Sequence, residues 1–265
     1  FDPARPAIVG GRLVWIADGY LVSSRFPLAE HVRWLGDEVN YVAAPYVVTV
    51  DAVRGRTRIY LRTPRALFAA SIARSEAVEP LPSDSLEPEL RRQLSYPLGL
   101  FGAQAAMLAR RGESPGAAPW SLATQDSTAS GGSDAARLEP AVAVLALDTA
   151  SPELWLLLPF VDAGGSRLAA VLAGTAGLTG EPRLTLLRAA RAFPTPLTAA
   201  GRFNASPSVL AAAAALAGPE GAVRRGAVYV VPAGGGFVYA QTLFATPDRR
   251  REPLRARLVA LLTDN

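Results

Sequence analysis

Short apolar runs cut by paired or tripled glycines constrain this chain's fold more than any other feature. Gly10-Gly11 precedes Leu13-Val14-Trp15-Ile16-Ala17, and Gly234-Gly235-Gly236 separates Val228-Tyr229-Val230-Val231 from Phe237-Val238-Tyr239-Ala240-Gln241. Runs rich in β-branched and aromatic residues around glycine read as β-hairpins, because glycine takes the left-handed backbone of tight turns at no steric cost. Val47-Val48-Thr49-Val50 and Thr57-Arg58-Ile59-Tyr60-Leu61 flank a similar turn at 51–56 that contains Gly55. The run ending at Ala17 is expected to stop in a tight Asp18-Gly19 turn. Residues 142–147 and 154–158 read as two strands, since Asp148, Ser151, Pro152 and Glu153 break the apolar stretch between them. Residues 168–174 and 184–187 are further strand candidates, the first also a possible helix start.

Helical periodicity falls between these clusters. Residues 65–72 are expected to be helical. Another helix is expected from Asp84-Ser85, with Leu86, Leu90 and Leu94 on one face and Glu87 and Glu89 in the first turn. Pro97 ends it, and Leu98, Phe101, Ala105 and Leu108 carry a new stripe. Residues 208–216 are Ala-rich and stop at Gly218-Pro219. A closing helix is expected over 253–262, with Leu254, Leu258 and Leu261 on one side. Helices between strand clusters, and no strict alternation, give an α+β fold with mostly antiparallel sheets, hairpins and packed helices.

The 265 residues are half hydrophobic, enough for a sizeable core. The stretch 112–138 is rich in small and polar residues, with Trp120 its only large anchor and STASGGSD at 127–134. It divides the chain into an N-terminal half (1–111), a loop or linker (112–138) and a C-terminal half (139–265).

Little in the sequence points to catalysis. There are no cysteines, which excludes disulfides, thiolate metal sites and cysteine nucleophiles. His31 is the only histidine, so a zinc site built on imidazoles is not expected. A triad could run through His31 with Asp18 or Asp51, but no Gly-x-Ser-x-Gly elbow presents a serine. Asp18 and Asp51 could pair as carboxylates; the simpler reading makes both turn residues. The glycine pairs lack the spacing of a phosphate loop. No catalytic residue, cofactor or metal is expected. All 27 basic residues are Arg, against 23 acidic ones, and they are scattered rather than set in an aromatic-interleaved stripe, so no nucleic-acid partner is expected. Trp, Tyr and Arg favour interface centres. The candidate partner-binding residues are Trp15, Tyr20, Trp34, Tyr41, Arg202, Asn204, Arg224 and Arg225.

Several segments together carry a resemblance. They are Trp15-x-x-Asp18-Gly19-Tyr20-x-x-Ser23-x-x-Phe26-Pro27, Val39-Asn40-Tyr41-Val42 and Val50-Asp51-Ala52-x-x-Gly55-x-x-x-x-Tyr60. Leu94-x-Tyr96-Pro97-x-x-Leu100-Phe101-x-x-Gln104, Pro196 with Arg202-x-Asn204, and 226–232 with Tyr239 follow in order. In order and spacing the chain resembles the large bacterial and cyanobacterial membrane proteins of the uncharacterised protein family UPF0182. The resemblance implies a domain outside the cytoplasm that follows N-terminal transmembrane helices. A chain beginning at Phe1 is then expected to be a processed or truncated piece, or a free-standing relative that docks on a membrane complex. Thr198, Gly177 and Gln93 stand where family members tend to carry Gln, Asp and His. The resulting expectation is a non-enzymatic, extracytoplasmic, membrane-associated domain that binds or stabilises a membrane protein complex or its own transmembrane region. The alternatives are an envelope-acting hydrolase using Asp18, His31 or Asp51, and a module that holds an anionic envelope ligand through Arg202 or Arg224-Arg225.

Overall fold

Strands dominate the fold, and each recorded strand register is antiparallel. The computed structural model describes residues 1–63, 67–76, 79–112, 118–126, 135–147, 151–177, 179–217, 221–246 and 255–263. The chain forms two compact units. Unit 1 holds Phe1–Met107, Val142–Leu156 and Gly174–Thr185; unit 2 holds Leu108–Ala141, Leu157–Ala173 and Leu186–Asn265.

Strand β1 (Arg5–Val9) turns at Gly10-Gly11, φ +55° and +73°, into β2 (Arg12–Ser23). A small hairpin of β3 (Val32–Trp34) and β4 (Asp37–Val39) follows. β5 (Tyr41–Asp51) and β6 (Thr57–Leu61) form the hairpin expected around Gly55. The sheet order is β1-β2-β5-β6.

Cross-strand partners share a face and alternate residues along a strand share a face. The registers Arg5↔Ile16, Ala7↔Val14, Ile16↔Thr49, Asp18↔Val47 and Val47↔Tyr60 therefore define an inner face. Ala7, Val9, Ile16, Val47 and Tyr60 form its core with Leu86, Leu90, Leu94 and Ala176. Each buried leucine contributes about 1.5–3 kcal/mol.

Helix α1 (Leu67–Ser75) follows, then a single 3-10 turn (Ser83–Ser85), α2 (Pro88–Arg92) and α3 (Leu98–Arg111). The helix expected from Asp84 is thus broken. Pro88 is the first residue of α2, and a residue before proline is pushed to extended backbone, as Glu87 is with ψ 137°. The three leucines keep their burial all the same.

The next elements are β7 (Ser121–Leu122), β8 (Thr124–Asp126), β9 (Ala135–Arg137) and β10 (Ala141–Leu145). β11 (Glu153–Val161), β12 (Leu168–Thr175) and β13 (Arg183–Phe193) complete a sheet of order β10-β11-β12-β13, with β7 paired to β11. β11, β12 and β13 contribute residues to both units. β11 and β12 are the central strands, buried almost throughout, which is why they read as continuous apolar runs. Residues 168–174 are strand and do not start a helix. The STASGGSD segment at 127–134 lies outside the described residues.

In unit 2, α4 (Pro196–Ala205) and α5 (Pro207–Ala217) precede β14 (Ala222–Ala233), β15 (Gly236–Thr246) and β16 (Arg255–Thr263). The hairpin around Gly234-Gly235 forms as expected, with Ala233↔Gly236 at its turn. Phe193 meets Phe237 edge-on at 5.2 Å, and the buried Tyr239 hydroxyl donates to the Pro194 carbonyl at 2.5 Å. α4 escaped the periodicity reading, yet Thr195 accepts from the Thr198 amide at 3.1 Å and Pro196 opens the helix, a recognised start signal.

Two expectations are overturned. The closing helix is strand β16: Leu258, Ala260 and Leu262 pair with Leu243, Gln241 and Tyr239 and are partly covered, while Val259 and Leu261 stay exposed. A stripe at 258 and 261 fits either period, and the unpaired edge of β15 decides it by supplying backbone partners. Leu254 lies outside the described residues. Asp18-Gly19 is not a turn either. It sits inside β2, where Gly19 allows close approach: an added Cβ would lie 3.0 Å from Tyr46 Cβ and 3.1 Å from the Phe1 ring.

Candidate functional site

The β1-β2-β5-β6 sheet carries Trp15, Asp18, Tyr20, Tyr41 and Asp51 of the residues singled out from the sequence. On the inner face, Asp18 is 2% exposed and Arg62 is 1% exposed. The Arg62 guanidinium donates to the Asp18 carboxylate, and its second terminal nitrogen donates to the Gly180 carbonyl at 3.3 Å. Arg62 Nε has no hydrogen-bond partner. Arg5 stands beside this pair and donates to the Gln93 carbonyl at 2.7 Å. Burial pushes the Asp18 carboxyl above its ordinary pKa, against the pull of Arg62 and Arg5, while the same burial pulls Arg5 down. Both side chains of the Asp18–Arg62 pair are almost fully enclosed, and the pair cross-links β2 to the segment after β6 within unit 1.

Asp2 organises the neighbouring region. Its carboxylate accepts from the Leu98 amide at 2.8 Å and the Gly99 amide at 3.0 Å, capping α3 where the helix dipole favours negative charge. Tyr20 donates its hydroxyl to Asp2 at 2.5 Å, and burial together with that carboxylate raises the phenol's pKa. Trp34 packs edge-on to Tyr20 at 5.1 Å and donates from its indole to the Gly99 carbonyl at 2.9 Å. Gly99 permits this crowding: a Cβ there would lie 3.0 Å from the Tyr20 hydroxyl.

The outer face is different. Ile8 pairs with Leu13, Pro6 with Trp15, and Trp15 with Val50. Ile8, Leu13 and Trp15 are 59%, 39% and 40% exposed. α1 covers the β5–β6 end, where the Tyr46 hydroxyl donates to the Ala69 carbonyl at 2.7 Å. Between them Tyr46, Val48, Ile59 and Ile72 line an apolar cavity of about 220 Å³. The free edge of β1 is blunted by α2 side chains: Gln93 exchanges hydrogen bonds with the Ile8 backbone at 2.6 and 3.2 Å, and Glu89 accepts from the Gly10 amide at 2.5 Å.

Of the candidate partner-binding residues, Trp15 lies on this open face. Tyr20 and Trp34 are engaged internally, and Tyr41 stacks on Phe26 at 5.0 Å. Arg202 and Asn204 are exposed on the last turn of α4, and Arg224 and Arg225 lie on β14 at a register shift; all four belong to unit 2.

Asp18, His31 and Asp51 are not brought together. Asp18 pairs in register with Val47 and Val14 with Asp51, so the two carboxylates stand four residues apart along the ladder, roughly 13 Å. Asp51 accepts from the Val53 and Arg54 amides, which hold its carboxyl below the ordinary range. His31 is exposed, its Nε2 3.0 Å from the Ser24 carbonyl. Among the described residues no cluster of three His, Asp or Glu could hold a metal ion, and no helix is long and apolar enough to cross a membrane.

Two residues that matter here, Asp2 and Arg62, were not singled out from the sequence. A signal for the second existed: Arg58, Tyr60 and Arg62 alternate, so a buried Tyr60 places Arg62 on the buried face.

The model of the uncharacterised protein family UPF0182 matches residues 2–215. The chain belongs to that family. UPF0182 proteins of Solibacter usitatus, Clavibacter sepedonicus and Synechococcus elongatus are 28%, 27% and 27% identical over 97%, 96% and 95% of it. It spans less than a third of their length, 29%, 29% and 27%. No solved structure matches. The positions that carry the resemblance have structural tasks in this UPF0182 chain. Asp18 pairs with Arg62, Asn40 donates to the Phe26 carbonyl at 2.7 Å, and the Tyr96 hydroxyl donates to Gln104 at 2.6 Å. The departures do so too: Gln93 covers the β1 edge, Gly177 takes φ +58°, and the Thr198 amide completes the α4 cap.

Proposed function

We propose that this chain is a non-enzymatic domain, positioned outside the cytoplasm, that packs against a membrane protein assembly through the outer face of its N-terminal sheet. The observation that carries the reading is the contrast around Trp15. The middle of the inner face is taken up by core packing and the Asp18–Arg62 pair, while Ile8, Leu13 and Trp15 form an exposed apolar row on the other side. Contiguous exposed apolar surface on a protein with a full core marks a contact site, and a half-exposed Trp is the residue type that anchors such contacts. The occupant proposed is the part of the polypeptide that longer UPF0182 proteins carry beyond the matched stretch, which exceeds two thirds of their length. In the proposed assembly that part buries the row.

The test uses membranes of the source organism solubilised in mild detergent and resolved by size exclusion. The 27.8 kDa chain is expected to elute with a much larger species, and the Ile8→Asp/Trp15→Asp variant to elute alone while keeping its circular-dichroism spectrum. Wild-type protein recovered as a free monomer from the extracytoplasmic fraction overturns the proposal.

A further inference from the structure

The far end of the inner face holds a second feature, independent of the docking surface. Alternation along β6 continues outward from Arg62 and Tyr60 to Arg58, which pairs in register with Thr49, and on to Arg56. On β2 the same alternation runs from Ile16 through Val14 to Arg12. Arg54, in the turn between β5 and β6, completes a cleft lined by Arg12, Arg54, Arg56 and Arg58 around a cavity of about 50 Å³. Its floor is closed by the buried Thr49 and Tyr60.

Four guanidiniums here face two carboxylates, and both carboxylates are already engaged. Asp51 accepts two turn amides, and Glu87 stands 3.5 Å from Arg12. Among the described residues, the guanidiniums of Arg54 and Arg56 make no hydrogen bond. Four guanidiniums around two carboxylates leave a local excess of positive charge, and an anion among them offsets their mutual repulsion. The guanidinium fork matches tetrahedral oxyanions, presenting paired donors to paired oxygens. A cavity of this size holds about four water-sized groups, which is the oxygen complement of one phosphate.

We propose that this cleft binds a phosphate-type oxyanion, with Arg54 and Arg56 as its principal donors, Arg12 and Arg58 lining the cleft beside them, and Thr49 as a hydroxyl contact at the floor. A free phosphate and a phospholipid headgroup present the same chemistry, so the experiment separates them.

Inorganic phosphate is titrated into the whole chain by calorimetry and by thermal melting. Vesicles of phosphatidylcholine, alone or with phosphatidic acid, form the second arm. Wild-type protein is expected to bind phosphate, or the phosphatidic-acid vesicles alone, and to weaken at least about tenfold on raising salt from 50 to 500 mM. Arg54→Ala/Arg56→Ala is expected to lose at least about tenfold in affinity, with its melting temperature in phosphate-free buffer no lower than that of the wild type, since both side chains are exposed and their removal relieves repulsion. Arg202→Ala/Arg224→Ala removes the same charge from unit 2 and is expected to bind as wild type. Binding of free phosphate identifies the soluble anion as ligand; vesicle binding without it identifies the headgroup. The proposal is overturned if neither probe binds, if Arg54→Ala/Arg56→Ala binds normally, or if both double variants lose affinity equally.

Discussion

The two faces of the four-stranded sheet are built from the same strands and fare differently. The inner face buries Ile16, Val47 and Tyr60 under Leu86, Leu90 and Leu94 and encloses an Asp18–Arg62 pair. The outer face keeps Ile8, Leu13 and Trp15 in contact with solvent. What differs is what the rest of unit 1 lays over each one. α2 and its flanking turn cover the inner side, whereas α1 shields only the β5–β6 end of the outer side. An aromatic on a strand therefore says little about function until its face is known. Trp15 and Tyr20 lie on one strand, yet only the indole is available to a partner.

Removing one member of the buried ion pair gives the largest expected effect on this contrast. Asp18→Ala leaves the Arg62 cation buried without its counter-charge, and a loss of about 3–5 kcal/mol in urea unfolding is expected. The double variant Asp18→Leu/Arg62→Met should recover most of it, because apolar residues of similar volume replace both charges at once. Single-variant losses below about 1 kcal/mol would mean that the inner face is not the rigid side.

A smaller effect is expected on the other side of the sheet. Trp15→Ala should cost about 1–2 kcal/mol in the isolated chain, less than Asp18→Ala, because two-fifths of the residue is already exposed and the site opens to water. A loss as large as that of Asp18→Ala would make Trp15 part of the core and end the contrast.

The smallest effect is one of pH. Asp51 sits at the hairpin turn, and two backbone amides hold its folded-state pKa below the unfolded value. Its contribution is complete above the ordinary carboxylate range and is lost as pH falls through the lowered value. The urea midpoint of the wild type should therefore fall more steeply on acidification than that of Asp51→Ala. Equal slopes would show that the turn does not depend on the ionised carboxylate.

Much of the fold was legible because local chemistry forces it. Gly10-Gly11, Gly55 and Gly234-Gly235 take left-handed backbone at three hairpin turns, and apolar runs flank them. The buried leucines at 86, 90 and 94 were legible as one face, although the helix expected to carry all three is shortened at Pro88 and carries only Leu90. Residues 258–262 were not legible. Their apolar spacing satisfies a helix as well as a strand, and only the open edge of β15 makes the strand preferable. The candidate site was legible in part. Trp15 was recognised by residue type, but its exposure follows from what α1 leaves uncovered. Arg62 and Asp2 find their partners 44 and 96 residues away, Asp18 and Leu98, and no local pattern encodes such a pairing.

The sequence alone determined where this chain turns, which short runs extend between turns, and that cysteine and multi-histidine chemistry is excluded. These follow from backbone sterics and side-chain inventory, which need no knowledge of distant residues. Tertiary structure alone decided that Asp18 lies within a strand against Arg62, that the last segment joins a sheet, and that the apolar residues of one sheet face are covered while those of the other stay open. Each of those outcomes depends on which groups from remote parts of the chain arrive to satisfy charge, hydrogen bonds and apolar surface.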